Sequence, residues 1–135
     1  MSHELITVTN ETYINSHNVC ELLGQIAARS VGRPTTLVLD NARYQRCRLV
    51  QDLAAELHIE LLFLPPYSPN LNLIERFWKF VKQQCLYSQH HADFAAFTTA
   101  IKECLQTAPT QHQSTLDSLL TLNFQTFEET QFVTV

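Results

Sequence analysis

Glycine is nearly absent: Gly24 and Gly32 are the only two in 135 residues. Phosphate-cradling loops and dinucleotide fingerprints need several glycines at fixed spacing, so both are excluded. Long apolar runs are missing too. The run Leu61 to Leu64 falls far short of a membrane span, and the opening MSHELITVTN lacks the basic and apolar regions of a signal peptide. A soluble, intracellular protein with no membrane partner is expected. No CxxC pair occurs among Cys20, Cys47, Cys85 and Cys104. Three of the four fall on the apolar side of helical patterns, so they are expected to be reduced core residues. Cys85 with His90 and His91 lacks a clear fourth ligand for structural zinc. Excess positive charge is also lacking. A formal charge of −4 excludes a protein that holds nucleic acid through an overall positive field, so any such contact has to be local.

What the chain has is apolar content, 45% of it, enough for one core. No repeat, low-complexity tract or linker divides it, so residues 1–135 are expected to form a single domain. Leu5 to Thr9 alternates and is β-branched, which predicts a strand, with a turn at Asn10-Glu11 and a short extended piece at Tyr13-Ile14. After Asn15 and Ser16, both good caps, Val19, Leu22, Leu23 and Ile26 recur at helical spacing until Gly32-Arg33-Pro34. Thr36 to Leu39 is an apolar run bounded by Pro34 and Asp40, the pattern of a central parallel strand covered on both faces by helices. Cys47, Val50, Leu53, Ala54 and Leu57 mark a second helix, and Ile59 to Leu64 another strand, ended by Pro65-Pro66. A third helix is expected to start with Ser68 as cap and Pro69 at its first position, and to run through Leu71, Ile74, Trp78, Val81 and Cys85. A fourth, with Phe94, Phe97, Ile101, Cys104 and Leu105, should end before Pro109. Leu116, Leu119, Leu120, Phe124 and Phe127 suggest a tail that packs. Strands alternating with helices imply an α/β sheet with right-handed crossovers.

Asp40 ends a predicted parallel strand, where open α/β sheets place ligand-binding groups. The plainer reading is that Asp40-Asn41 caps the next helix. Glu75 sits beside the apolar stripe of the third helix, and its plainer reading is an i,i+4 ion pair with Lys79. Arg43, Arg46 and Arg48 crowd a helix start, where the macrodipole disfavours cations. With Arg76, Lys79 and Lys82 they would line the acidic cleft with phosphate-binding side chains. A solvated helix face is an equally good account of Arg48 and Lys82. Carboxylates that converge on divalent cations suit phosphoryl transfer, and Mg2+, or Mn2+, is the natural ion for oxygen ligands.

Leu37-Val38-Leu39-Asp40-Asn41-Ala42, followed by Phe63-Leu64-Pro65-Pro66-Tyr67-Ser68-Pro69-Asn70-Leu71-Asn72-Leu73-Ile74-Glu75-Arg76-Phe77-Trp78, resembles the insertion-sequence transposases of the mariner-like DDE superfamily. The resemblance implies that Asp40 and Glu75 are the second and third acidic metal ligands, with Asn41, Tyr67, Ser68, Pro69, Asn72 and Trp78 as the motif around them. It also implies an RNase H-like fold, a three-layer α/β/α domain whose third, fourth and fifth strands map to Leu5–Val8, Leu37–Leu39 and Ile59–Leu64. The first strands have no counterpart, so the fold is expected to be incomplete at its N-terminus, the C-terminal part of a catalytic domain. The family usually has a histidine shortly after Asp-Asn-Ala, where this sequence reads Arg43-Tyr44-Gln45-Arg46, and often a proline where Leu73 stands. No acid matches the family's first catalytic Asp, and its helix-turn-helix DNA reader has no counterpart.

These features imply weak metal binding through two carboxylates and no activity of the chain alone. They also imply DNA as the partner molecule, and a homodimer, a strand-swapped oligomer or assembly with a separately encoded N-terminal half. A cytoplasmic protein, nucleoid-associated if DNA-bound, is expected. Two other readings stand beside it: a catalytically dead remnant that binds DNA or a transposase subunit, and a folded leftover with no present role.

Overall fold

Asn15 fixes where the first helix starts. In the computed structural model, which describes residues 4–67, 71–86 and 90–121, its side chain accepts from the His17 and Asn18 backbone N–H groups, while the Asn18 side chain accepts from the Asn15 N–H at 3.0 Å. This reciprocal capping box opens α1 (Ser16–Arg29). Asn15→Ala is expected to cost about 1 kcal/mol of stability, read as a fall in thermal midpoint. An unchanged midpoint would mean that the tertiary packing of α1 alone sets its start.

After the left-handed Gly32 come β1 (Thr35–Leu39), the four-residue α2 (Arg43–Arg46), α3 (Arg48–Glu56) and β2 (Ile59–Phe63). The two strands pair in parallel, Thr35 opposite Ile59 through Leu39 opposite Phe63. A further bond from Leu64 N–H to the Leu39 carbonyl, 2.8 Å, carries the pairing one step beyond the strands. Helix α4 (Leu73–Val81) runs into a π-helical turn (Lys82–Leu86), and α5 (Phe94–Gln111) and α6 (Gln113–Leu119) complete the described chain.

The strand order differs from the expected one in two ways. Leu5 to Thr9 makes no ladder, and neither does Tyr13-Ile14. Alternation marks a segment that buries one side, but a strand also needs a neighbour for its backbone. Here the segment lines an apolar groove between α1 and the α4–α5 pair, with Leu5 packed on the latter. The β1–β2 sheet is also covered on one face only. Leu37, Leu61 and Ile59 pack beneath Val19 and Leu23 of α1 and Val50 and Ala54 of α3, whereas Val38 and Leu62 on the other face are 42% and 51% exposed. The expected helical layer on that side is not found among the described residues. A continuous apolar run such as Leu37–Leu39 does not reveal whether one face or two will be covered.

Helix boundaries shift as well. A break at Cys47 splits the expected second helix into α2 and α3. The third helix starts at Leu73, with the Asn72 side chain accepting from Ile74 N–H. The expected start, Ser68-Pro69, lies outside the described residues. Helix α5 continues through Pro109 to Gln111. Proline near a C-terminus forfeits little of the ladder, and Cys104, Leu105 and Ala108, all buried, hold that turn against its neighbours.

The apolar residues gather into two clusters. One is Val19, Leu23, Val50, Ala54 and Ile59; the other is Phe77, Phe80, Val81, Cys85, Cys104, Leu105, Ala108 and Leu116. Leu119 and Leu120 pack on the second, as expected of the tail; Phe124 and Phe127 lie outside the described residues. Cys85 and Cys104 are joined as a disulfide with Cα atoms 6.3 Å apart, which overturns the expectation of four reduced thiols. Periodicity places each of them on an apolar face, but not that the two faces meet. Cys20 and Cys47 are free. Burial first, and the neighbouring Cys47 second, push the Cys20 thiol up, so it stays protonated at neutral pH. No described helix is long and apolar enough to cross a membrane.

Candidate active site

β1 ends at Leu39, so Asp40 is the first residue past the sheet, exposed at the carboxyl end of the parallel pair. Its Oδ1 accepts from Ala42 N–H at 3.1 Å, a local turn that folds the chain back. Asn41 ties the two strand ends together: its Nδ2 donates to the Leu64 carbonyl, and its Oδ1 accepts from Arg46 Nη1 at 2.8 Å. The Arg46 guanidinium also lies 5.2 Å from the Phe63 ring centroid. The N-cap of α2 is Ala42, without a side-chain bond, so Asp40-Asn41 is not the ordinary helix cap of the plainer reading.

Glu75 comes from the other cluster. It lies in the first turn of α4, exposed, where the positive end of the helix dipole favours a carboxylate. Among the described residues it makes no ion pair with Lys79, so the plainer reading of Glu75 loses its contact. A single cavity of about 320 Å³ is lined by Asp40, Asn41, Ala42, Leu64, Pro65, Pro66, Tyr67, Asn72 and Glu75. The two acids, 35 positions apart in sequence, share it with three of the motif's other residues, Asn41, Tyr67 and Asn72. Tyr67 stands at its rim, fully exposed and in the left-handed region at φ 60°, a backbone strain of about 1–3 kcal/mol for a bulky residue. Ser68 and Pro69 lie outside the described residues. Trp78, 43% exposed, faces the neighbouring apolar groove with Ile74, Tyr44 and Leu22 instead.

The basic residues are dispersed. None of Arg43, Arg46, Arg76, Lys79 and Lys82 is among the described residues that line the cavity. Arg46 reaches it through Asn41. Arg76 donates to the carbonyls of Leu119 and Thr121, at 3.3 and 2.8 Å, and so closes the end of α6. Arg48 pairs with Asp52 at 3.5 Å on the solvated face of α3. Arg43, Lys79 and Lys82 are exposed.

The donor set is two carboxylates with amide and carbonyl oxygens around them, hard oxygen ligands that fit a magnesium-type cation. No group of three His, Cys, Asp or Glu residues converges among the described residues, so the fit is that of a partial site, and Cys85, His90 and His91 form no zinc site. One side chain that sequence reasoning left without a role belongs here. The Gln45 amide faces both the Asp40 carbonyl, 3.1 Å, and Asp40 Oδ1, 2.5 Å. The only sequence signal for it is that five residues, one tight turn and a helical turn, bring a side chain back to where it began.

The fold and the cleft define a small α/β domain with an acid pair held at the carboxyl end of two parallel strands. The chain belongs to the DDE superfamily endonuclease family, whose model matches residues 1–98. It is 33% identical over 89 residues to the uncharacterized protein y4pE/y4sA of Sinorhizobium fredii (strain NBRC 101917 / NGR234), a stretch covering 64% of this chain and 63% of that relative. The chain thus spans just under two thirds of the relative's length. No solved structure matches it.

Proposed function

We propose that this chain is part of the RNase H-like catalytic domain of a mariner-like, insertion-sequence transposase, working in metal-dependent cleavage and strand transfer of DNA. The observation that carries this reading is the meeting of Asp40 and Glu75 in one cleft with Asn41, Tyr67 and Asn72. Asp40 and Glu75 would hold Mg2+ or Mn2+, which lowers the pKa of an attacking water or hydroxyl and stabilises the leaving oxygen. Two carboxylates bind such an ion weakly, and a third acid from outside the described residues would complete the site. That acid would come from a further segment of the same protein, a second copy of the chain or a separately encoded segment. β1 and β2 each pair on one edge only among the described residues, and open edges recruit strands. A clean monomer on gel filtration at micromolar concentration counts against a self-assembled form. The working compartment is the cytoplasm, at the nucleoid when DNA is bound.

Titration with Mn2+ while following Trp78 fluorescence tests the site. A response at millimolar metal that Asp40→Asn removes supports it; silence in the wild-type chain opposes it. The second reading, a catalytically dead module that binds DNA or a transposase subunit, is favoured by the absence of a third converging ligand among the described residues. It requires salt-sensitive DNA binding that survives Asp40→Asn.

Both readings place DNA phosphates on exposed cations, and the structure separates these from the tied ones. Arg43→Ala and Lys79→Ala should each weaken DNA binding across all sequences and reduce the salt slope by about 1. Arg76→Ala should instead lower the thermal midpoint, because it frees the carbonyls at the end of α6. Fluorescence anisotropy across a salt series, beside thermal melts, checks both.

A further inference from the structure

Gln45 sits on α2, a helix too short to be stable by itself, yet held at both ends. Its own N–H and that of Arg46 reach the Ala42 carbonyl, at 3.0 and 3.2 Å. Gln51 Nε2 donates to the Arg46 carbonyl at 2.6 Å, and the Arg46 side chain is fixed by Asn41 and by the Phe63 ring. The half-buried Gln45 side chain is thereby aimed at Asp40. Both atoms it faces there, the Asp40 carbonyl and Oδ1, are acceptors only, so the amide nitrogen has to be the end that meets them.

We propose that Gln45 is the positioning residue of Asp40. With Ala42 N–H, its amide occupies Oδ1 of the carboxylate and leaves Oδ2 as the atom presented to a divalent cation. The inference rests on the metal-binding reading of the Asp40–Glu75 cleft and deepens it. A flexible aspartate at the end of a strand samples several rotamers; one whose first oxygen is held by two donors has lost that freedom before the ion arrives. Partners of this kind, behind the ligands themselves, set metal affinity by about 10–100-fold. Gln45 is neutral, so it orients the carboxylate without competing with the cation for its charge.

The test is Mn2+ affinity, read by electron paramagnetic resonance of the free ion, in the full chain and in two variants. Gln45→Met keeps length and volume but has no donor; Gln45→His restores an N–H. The expected result is a loss of about 10-fold in affinity for Gln45→Met, substantial recovery in Gln45→His, and the same thermal midpoint for the wild type and both variants. Equal affinity of wild type and Gln45→Met overturns the proposal while leaving the metal site standing. So does a loss shared equally by the two variants and tracked by a fall in midpoint, the signature of a merely structural glutamine. If the wild-type chain binds no Mn2+ at millimolar concentration, the metal-binding reading itself fails, and the role of Gln45 falls with it.

Discussion

In an assembly that supplies a third carboxylate, Glu75→Gln and Asp40→Asn are each expected to reduce metal-dependent nicking of supercoiled plasmid by about three orders of magnitude. The size follows from what each group does. A carboxylate ligand that becomes a neutral amide keeps its shape and hydrogen bonds but loses the charge that holds the cation. The cation supplies several kcal/mol of transition-state stabilisation, at roughly 1.4 kcal/mol per decade of rate. The two replacements should not add, because either one empties the same site. The double variant should therefore be about as slow as each single one. Lys79→Ala is the informative control: it removes a neighbouring cation on the same helix, and it should raise the DNA concentration needed without lowering the saturated rate by a comparable factor. The chain by itself should leave the plasmid intact. Retention of full activity in Glu75→Gln would remove the acid pair from the chemistry and leave the DNA-binding module as the better account.

The placement of Asp40 and Glu75 was readable in advance because it is carried by local features: a strand that stops at Asp40, a proline-rich turn, and a helix whose first turn holds Glu75. Helix α1 was equally legible, since Asn15 and Asn18 state its start within four residues. What the sequence did not reveal depends on how distant surfaces meet. Leu5 to Thr9 has the alternation of a strand, but it lines the groove between α1 and α4, and no neighbour among the described residues pairs its backbone. Val38 and Leu62 look like core residues within their runs, yet half their surface remains in solvent. The basic residues followed the same rule. Arg43, Arg46 and Arg76 are near the acids in sequence, but whether a long side chain points to a cleft or to a helix end is decided by partners such as Asn41, Leu119 and Thr121. Gln45 was hidden for the opposite reason: its partner is close by, but a glutamine carries no signature of its own.

Leu23→Ala and Phe80→Ala are expected to cost about 3 and about 4 kcal/mol of folding free energy, large fractions of the 5–15 kcal/mol typical of a domain. Leu23 is fully buried among Val19, Val50, Ala54 and Ile59, and Phe80 is 5% exposed among Phe77, Val81 and Leu105. Each truncation leaves a cavity that close-packed neighbours fill only in part. The two clusters matter differently to the cleft. The first carries β1 and so Asp40; the second carries α4 and so Glu75. The candidate site thus has one acid on each, and its geometry depends on both clusters being packed at once. Metal should report that dependence. An ion held by both acids binds the folded form alone and raises stability by mass action. Urea melts with and without Mn2+ should then show a metal-dependent gain in the wild type, a gain in Leu23→Ala and Phe80→Ala as long as they fold, and none in Asp40→Asn or Glu75→Gln. A gain that survives in Glu75→Gln but not in Asp40→Asn would mean that the ion rests on the first cluster alone, and that the two cores need not meet to hold it.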